Sequence, residues 1–204
     1  GTPLPGVLVL RSAGSLAAQD LAPRAYVVTP LGSSAITLAN AYNDGDLVLE
    51  GAAPIEGATG RLDVPSVAAY RAFGLLGRSA NVVAGVAYGV GTFEGDVLGE
   101  PTSIYRSGLF DAVARVSVNL VGGPAMSLAE MRTWQQKTLL GVSLKVVTPT
   151  GQYDPTKLIN LGANRWAFKP ELGLSRRWGH WVLDAYASVW LFTENPEFFS
   201  RNAY

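Results

Sequence analysis

The stretch NRWAFKPELGLSRRWGHWVLDAYASVWLFTEN, residues 164–195, decides the fold class. Read as two strands around a turn at Trp178-Gly179, it puts Arg177 opposite His180. In that register Leu174 faces Leu183, Leu172 faces Ala185, Phe168 faces Val189 and Trp166 faces Leu191. On the other side Glu171 faces Tyr186 and Gly173 faces Asp184. One face is therefore apolar along its length, and the other carries charge and hydroxyl. Period-two alternation in both segments is the strand signal, and a slip of one residue would turn every side chain over. Aromatic residues sit near the ends of the apolar face. This polarity fits a strand with lipid on one side and a wet lumen on the other. A soluble antiparallel sheet with one face on a core gives the same alternation, so the hairpin alone leaves both readings open.

Composition leans towards lipid. The 204 residues suffice for one large domain or two small ones. Charged residues make up 16% and hydrophobic residues 48%. That charge fraction is below the roughly 25% of a typical soluble chain, which leaves little to cover a water-facing surface. The formal net charge is zero, so nothing points to nucleic acid or an acidic partner. The 23 glycines argue against a mainly helical protein. With no cysteine, disulfides, thiolate catalysis and Cys-based metal sites are excluded. The longest uncharged run, residues 25–43, is broken by Pro30 and Gly32 and is not a membrane helix. A membrane protein of this composition would cross as a barrel.

Outward from the hairpin, the same pattern recurs. Residues 1–19 read as a signal-peptide remnant or a disordered lead, with the apolar run Gly6-Val7-Leu8-Val9-Leu10 before small residues at 15–19. Residues 20–204 read as one antiparallel transmembrane β-barrel segment. Strands are expected over residues 34–49, 61–74, 80–93, 110–120 and 140–146, followed by the opening hairpin, with a turn at 77–79 and loops at 51–60, 94–107 and 148–163. Ser127-Leu128-Ala129-Glu130 is a capping box, so a short helix should start at Ser127 and run to about Gln136. Connections alternate long and short, as in outer-membrane barrels. Strand parity places the helix at the short-turn, periplasmic rim. Several strands reach the ~9–11 residues needed to cross a bilayer obliquely.

Particular runs also carry a resemblance: DLAPRAYVVTP (20–30), GRSAN (77–81), YGVGTF (88–93), YRSGL (105–109), TPTGQYDPTKLIN (148–160) and NRWAFKPE (164–171). They are similar to the bacterial proteins grouped as a "putative meta-pathway of phenol degradation", often called transporters. The resemblance spans residues 20–204. It implies an outer-membrane β-barrel, tied to phenol breakdown by name and gene context and not by catalysis. It also implies further strands C-terminal to Tyr204. About seven strands are counted here, and bacterial single-chain barrels have even numbers, so an incomplete barrel is expected, with the missing C-terminal strands as its partner.

Catalytic chemistry finds no support. His180 is the sole histidine and sits at a strand turn, so neither a triad nor a transition-metal site is expected. Gly89-Val90-Gly91 followed by Gly95 misses the dinucleotide fingerprint by one residue and opens a loop. Asp154-Pro155-Thr156-Lys157 reads as an Asx turn more readily than an ion site. No enzyme activity and no cofactor are expected. The informative residues are Arg61, Asp63, Arg71, Asp111, Arg115, Lys145, Lys169, Glu171, Asp184 and Tyr186, assigned to the face opposite the apolar one and hence to a lumen. Both signs occur among them, so the expected lumen is mixed and suits a small neutral or weakly polar solute, with Tyr186 and Trp190 offering aromatic surface for a phenol-like ring. The function expected is an outer-membrane, porin-like channel or transporter for small, aromatic or hydrophobic solutes. A non-conducting structural or binding barrel is the alternative.

Overall fold

The computed structural model describes residues 26–47, 55–97, 99–157 and 159–197. The signal-peptide reading of residues 1–19 lies outside them. The described residues form an antiparallel meander: β1 (Ser34–Asp46), β2 (Ile55–Leu75), β3 (Arg78–Val97), β4 (Glu100–Leu109), β5 (Val113–Val121), helix α1 (Leu128–Met131), β6 (Thr138–Val147), β7 (Ala167–Trp178), β8 (Trp181–Ser188) and β9 (Leu191–Phe192). Neighbours pair in the order β1-β2-β3-β5-β6-β7-β8, with β4 on β3 and β9 on β7. The sheet curls into a half-barrel.

Two of these strands continue the next. Tyr88 of β3 faces Leu109 of β4, and Gly85 faces Val113 of β5. Between these pairs two residues on β3, Val86 and Ala87, oppose three on the partner course, which is a β-bulge at residues 110–112. β4 and β5 are one descending course with a kink. On β7, Glu171 faces Ser188 and Phe168 faces Leu191. That register does not shift, so β8 and β9 form one course interrupted at Val189 and Trp190. Counted this way the described meander has seven courses, as the alternation indicated.

The structure corrects four details. The expected loop at 94–107 is a hairpin: β3 runs on to Val97 and β4 begins at Glu100, with Gly99 at φ 87. Its residues are mostly polar, and the apolar Ile104 and Tyr105 stand side by side, so no apolar alternation marks it. The β2–β3 turn is Leu76-Gly77, with φ of 50 and 74, not residues 77–79; two positive φ values are the type I′ hairpin geometry. In the opening hairpin Trp178 pairs with Trp181, two residues from the expected register, and Gly179 takes φ 57 at the turn. A shift of two preserves faces because side chains alternate with period two. The helix ends at Met131, short of Gln136. It does begin at Ser127, whose hydroxyl accepts from Glu130 N while the Glu130 carboxylate accepts from Ser127 N at 2.7 Å.

The polarity is inverted relative to a soluble sheet. Ser117, Asn119, Ser143, Lys169 and Ser175 on the inner face are buried. Val86, Val116, Leu144 and Leu172 on the outer face are 43%, 45%, 44% and 46% exposed. A small apolar core lies inside the short-turn rim. There Val28, Met126 and Leu139 are buried, with Met131 and Trp134 packed against them. The helical connection is tied to this rim through Ser79 N to Gly123 O at 2.9 Å and Ala125 N to Gly77 O at 3.0 Å.

Candidate functional site on the concave face

Register builds the concave face in rows, because directly paired residues of adjacent strands point the same way. Arg115 of β5 pairs with Lys145 of β6, and Lys145 pairs with Lys169 of β7. Three cations therefore stand abreast. Trp190 joins their level from the far side, with Lys145 Nζ 5.4 Å and Lys169 Nζ 5.5 Å from its ring centroid, within cation–π range. Towards the short-turn rim the next row is Ser117, Ser143, Glu171 and Ser188. Lys169 Nζ lies 3.9 Å from Glu171 Oε2, and both side chains are nearly fully buried. The row after that is Asn119, Gly141, Gly173 and Tyr186, and beyond it Ser175 pairs with Asp184.

Tyr26 stands over these rows. The segment of residues 26–33, which precedes β1, crosses the inner face at the short-turn rim. It is held by Leu31 N to Met126 O at 2.9 Å, Gly32 N to Ala72 O at 3.1 Å and Asn119 Nδ2 to Tyr26 O at 3.1 Å. Thr29 and Tyr70 share a hydroxyl–hydroxyl hydrogen bond. The Tyr26 hydroxyl donates to Glu171 Oε1 at 3.0 Å and lies 3.2 Å from Ser143 Oγ. Its ring stacks on Tyr186 with centroids 6.2 Å apart. Beneath it lie Gly141 and Gly173, paired across β6 and β7; a β-carbon on either would overlap the Tyr26 ring. The glycine pair is thus a seat for one aromatic side chain.

On the long-loop side of the cationic row a cavity of about 670 Å³ opens. Arg115, Lys145 and Lys169 line it on one side. Phe110 from the bulge, Val83, Val113, Val147, and Leu161 from the loop after β6 line it elsewhere.

A family model, "Putative MetA-pathway of phenol degradation", matches residues 44–203. The chain belongs to this family. Among solved structures, this family member resembles an outer membrane channel from Pseudomonas putida F1, with a TM-score of 0.58 at 17% identity, over 89% of this chain and 64% of that one. The likeness is one of fold, and this chain spans less than two thirds of the channel's length. Among curated proteins there is no match.

Of the charged residues assigned to the lumen in this family member, Arg115, Lys145, Lys169, Glu171 and Asp184 share the concave face, together with Tyr186. Arg61, Asp63 and Arg71 do not. They pair with Thr92, Val90 and Val82 and so lie on the convex face. The cause is the glycine-rich inner face of β3. Leu62 and Ala68 turn inward over Gly91 and Gly85, where added β-carbons would meet Leu62 Cδ1 at 2.8 Å and Ala68 Cβ at 3.1 Å. Of the outward charges Arg71 sits near the short-turn end of β2, and Arg61 and Asp63 lie in its other half. Arg61 lies 3.6 Å from Asp44, and Arg71 donates to Ser34 Oγ at 3.1 Å.

Asp111 is not on a strand. Its carboxylate accepts from Gly151 N and Ala163 N, both at 2.8 Å, and staples the loop of residues 148–166 to the bulge. Asp154 forms the expected Asx turn, accepting from Thr156 N at 2.9 Å, with Lys157 Nζ also 2.9 Å away. These donors hold the Asp154 carboxyl at about 2, below its ordinary value, the Thr156 hydroxyl contributing most. The seat of Tyr26 escaped the sequence reading. Its one signal is a pair of glycines, Gly141 and Gly173, that fall opposite each other once β6 and β7 are aligned.

Proposed function

We propose that the protein is an outer-membrane channel for small solutes and not an enzyme. The observation that carries this is the inverted polarity: buried Ser117, Ser143 and Lys169 inside, exposed Val116, Leu144 and Leu172 outside. Such a surface places its apolar band against lipid and its charges around an aqueous path. Family membership and likeness in fold to an outer membrane channel support the reading. In it, the closing strands lie C-terminal to β9, and the passing solute meets Arg115, Lys145, Lys169, Glu171, Asp184 and Tyr186. The test is conductance of the full-length protein in planar lipid bilayers. Discrete current steps are expected, and a folded, inserted protein that gives none defeats the reading. One feature favours the non-conducting alternative. Residues 26–33 occupy the inside of the short-turn rim, and a barrel blocked there would bind solute without passing it. The same recordings decide between the two.

A further inference from the structure

We propose that the short-turn rim binds the head groups of acidic phospholipids, with Arg71 and Arg176 on the phosphates and the acyl chains on the convex wall beside them. The proposal rests on the membrane reading and not on conduction.

Charge is sorted along the strands. Arg71, Arg78, Arg132, Lys137, Arg176 and Arg177 lie at the short-turn rim, and all six are exposed. The carboxylates of that rim among the described residues are Glu130, bonded to Ser127, and Asp184 on the concave side. Six cations against two carboxylates leave an excess of four positive charges there. The sign reverses at the long-loop ends of β1 to β4, where Asp44, Asp46, Glu56, Glu94, Asp96 and Glu100 stand. A formal net charge of zero therefore hides one basic rim and one acidic rim. An anionic head-group layer attracts such a basic rim cation by cation.

Position decides between a lipid and a soluble partner. The cations are spread along the rim from β2 to β7, as the edge of a membrane layer would meet them, and form no single compact patch. Two of them stand on the lipid-facing side. Arg71 pairs with Val82, and Arg176 pairs with Thr138 and Leu183, which puts both on the convex face. Arg176 lies over the Trp178 ring, 4.9 Å from its centroid. Trp178 pairs with Trp181, and the two are 48% and 81% exposed. Exposed tryptophan beside arginine suits the membrane–water interface, where the ring sits at head-group level and the guanidinium reaches for phosphate. Beside Arg71, a depression of about 500 Å³ is lined by Ile36, Ala69, Val82 and Ala84. Ala69 pairs with Ile36 on one side and Ala84 on the other, so this row lies further from the rim than Arg71. An acyl chain laid there leaves water while its phosphate reaches Arg71. A soluble acidic protein would use the charges and leave this apolar wall bare.

The test is tryptophan quenching in the full-length protein, reconstituted into phosphatidylcholine vesicles. These hold either brominated phosphatidylglycerol or brominated phosphatidylcholine at equal mole fraction, and the two quenching curves give the relative affinity. Phosphatidylglycerol should be preferred roughly fivefold at low salt. The preference should fall towards one at about 0.5 M salt, where the Debye length is roughly 4 Å. Arg71→Gln combined with Arg176→Gln should bring the ratio close to one. Arg61→Gln, on the same face at the other end of β2, should leave it unchanged. If the double variant does not insert, Arg71→Gln alone serves, and the wild-type lipid pair with its salt dependence still decides. Equal quenching by the two lipids, no loss in the double variant, or the same loss in Arg61→Gln overturns the proposal. Tight binding of polyglutamate to the protein in detergent, without any lipid preference, assigns the rim to an acidic protein instead. A protein that does not insert defeats the membrane reading and this proposal together, whereas insertion without preference defeats this one alone.

Discussion

A methyl group on Gly173 would overlap the Tyr26 ring, and so would one on Gly141. Overpacking of this kind costs about 1–3 kcal/mol when the neighbour cannot move. Tyr26 belongs to a non-strand segment and can leave. Gly173→Ala should therefore release residues 26–33 and leave the sheet standing, read as new protease cleavage near Tyr26 with an unchanged strand signal in circular dichroism. Unchanged protection would mean that the ring is not seated there. At the loop rim, Asp154 makes a second residue-scale prediction. Its folded-state pKa is depressed to about 2, so its contribution to loop order is fully present above the unfolded value near 4 and is lost as pH falls from there through about 2. The Lys157 Nζ resonance, observed by NMR, should shift over that window as its Asp154 partner is protonated, and an effect centred at neutral pH would contradict the assignment. The Asx turn was legible in the sequence because the side chain bonds two residues along its own chain. The seat of Tyr26 was not, because it joins residues separated by more than a hundred positions.

Elements were legible where one face differs from the other. β7 and β8 announce themselves by Leu172 and Leu174 against Glu171 and Ser175, and even a register misplaced by two kept the faces right. β4 carries no such contrast: Ile104 and Tyr105 are adjacent and fall on opposite faces among Pro101, Thr102, Ser103 and Arg106, so composition alone reads as loop. β2 was recognised as a strand but turned over. The rule that apolar residues face outward fails where the neighbouring strand presents Gly85, Gly89 and Gly91 inward and needs bulk opposite them. Loops behave likewise: the connection after β6 reads as unstructured from composition, yet Asp111 and Gln152 bind it to the bulge, the latter through Gln152 N to Leu109 O at 2.8 Å. Asp111→Ala removes an acceptor from two backbone N–H groups. It should loosen this loop and cost about 1–3 kcal/mol where those donors stay dry. Hydrogen exchange should rise at Gly151 and Ala163 with little change in β5 or β6. Equal exchange before and after the substitution would show that water replaces the staple.

At the scale of the molecule, the half-barrel leaves β1 and β8 each with one neighbour among the described residues. In hydrocarbon, an open edge costs several kcal/mol for each orphan backbone group, so the full-length barrel in the reading above pairs both. The same solvent argument fixes which face tolerates charge. Leu172, central in β7 and 46% exposed, points to the convex side. Ser188 pairs with Glu171 on the concave side and is exposed there. In a lipid-facing barrel, Leu172→Arg should cost about 2–4 kcal/mol if it sits near the bilayer midplane, while Ser188→Arg should be nearly neutral, its guanidinium solvated and opposite a carboxylate. In a soluble sheet the order reverses, because Leu172 would be a surface residue and Ser188 would face the core. Equilibrium unfolding of the two full-length variants from lipid vesicles separates these cases by sign. A larger loss for Ser188→Arg than for Leu172→Arg would overturn the membrane orientation and, with it, every role assigned to the concave face.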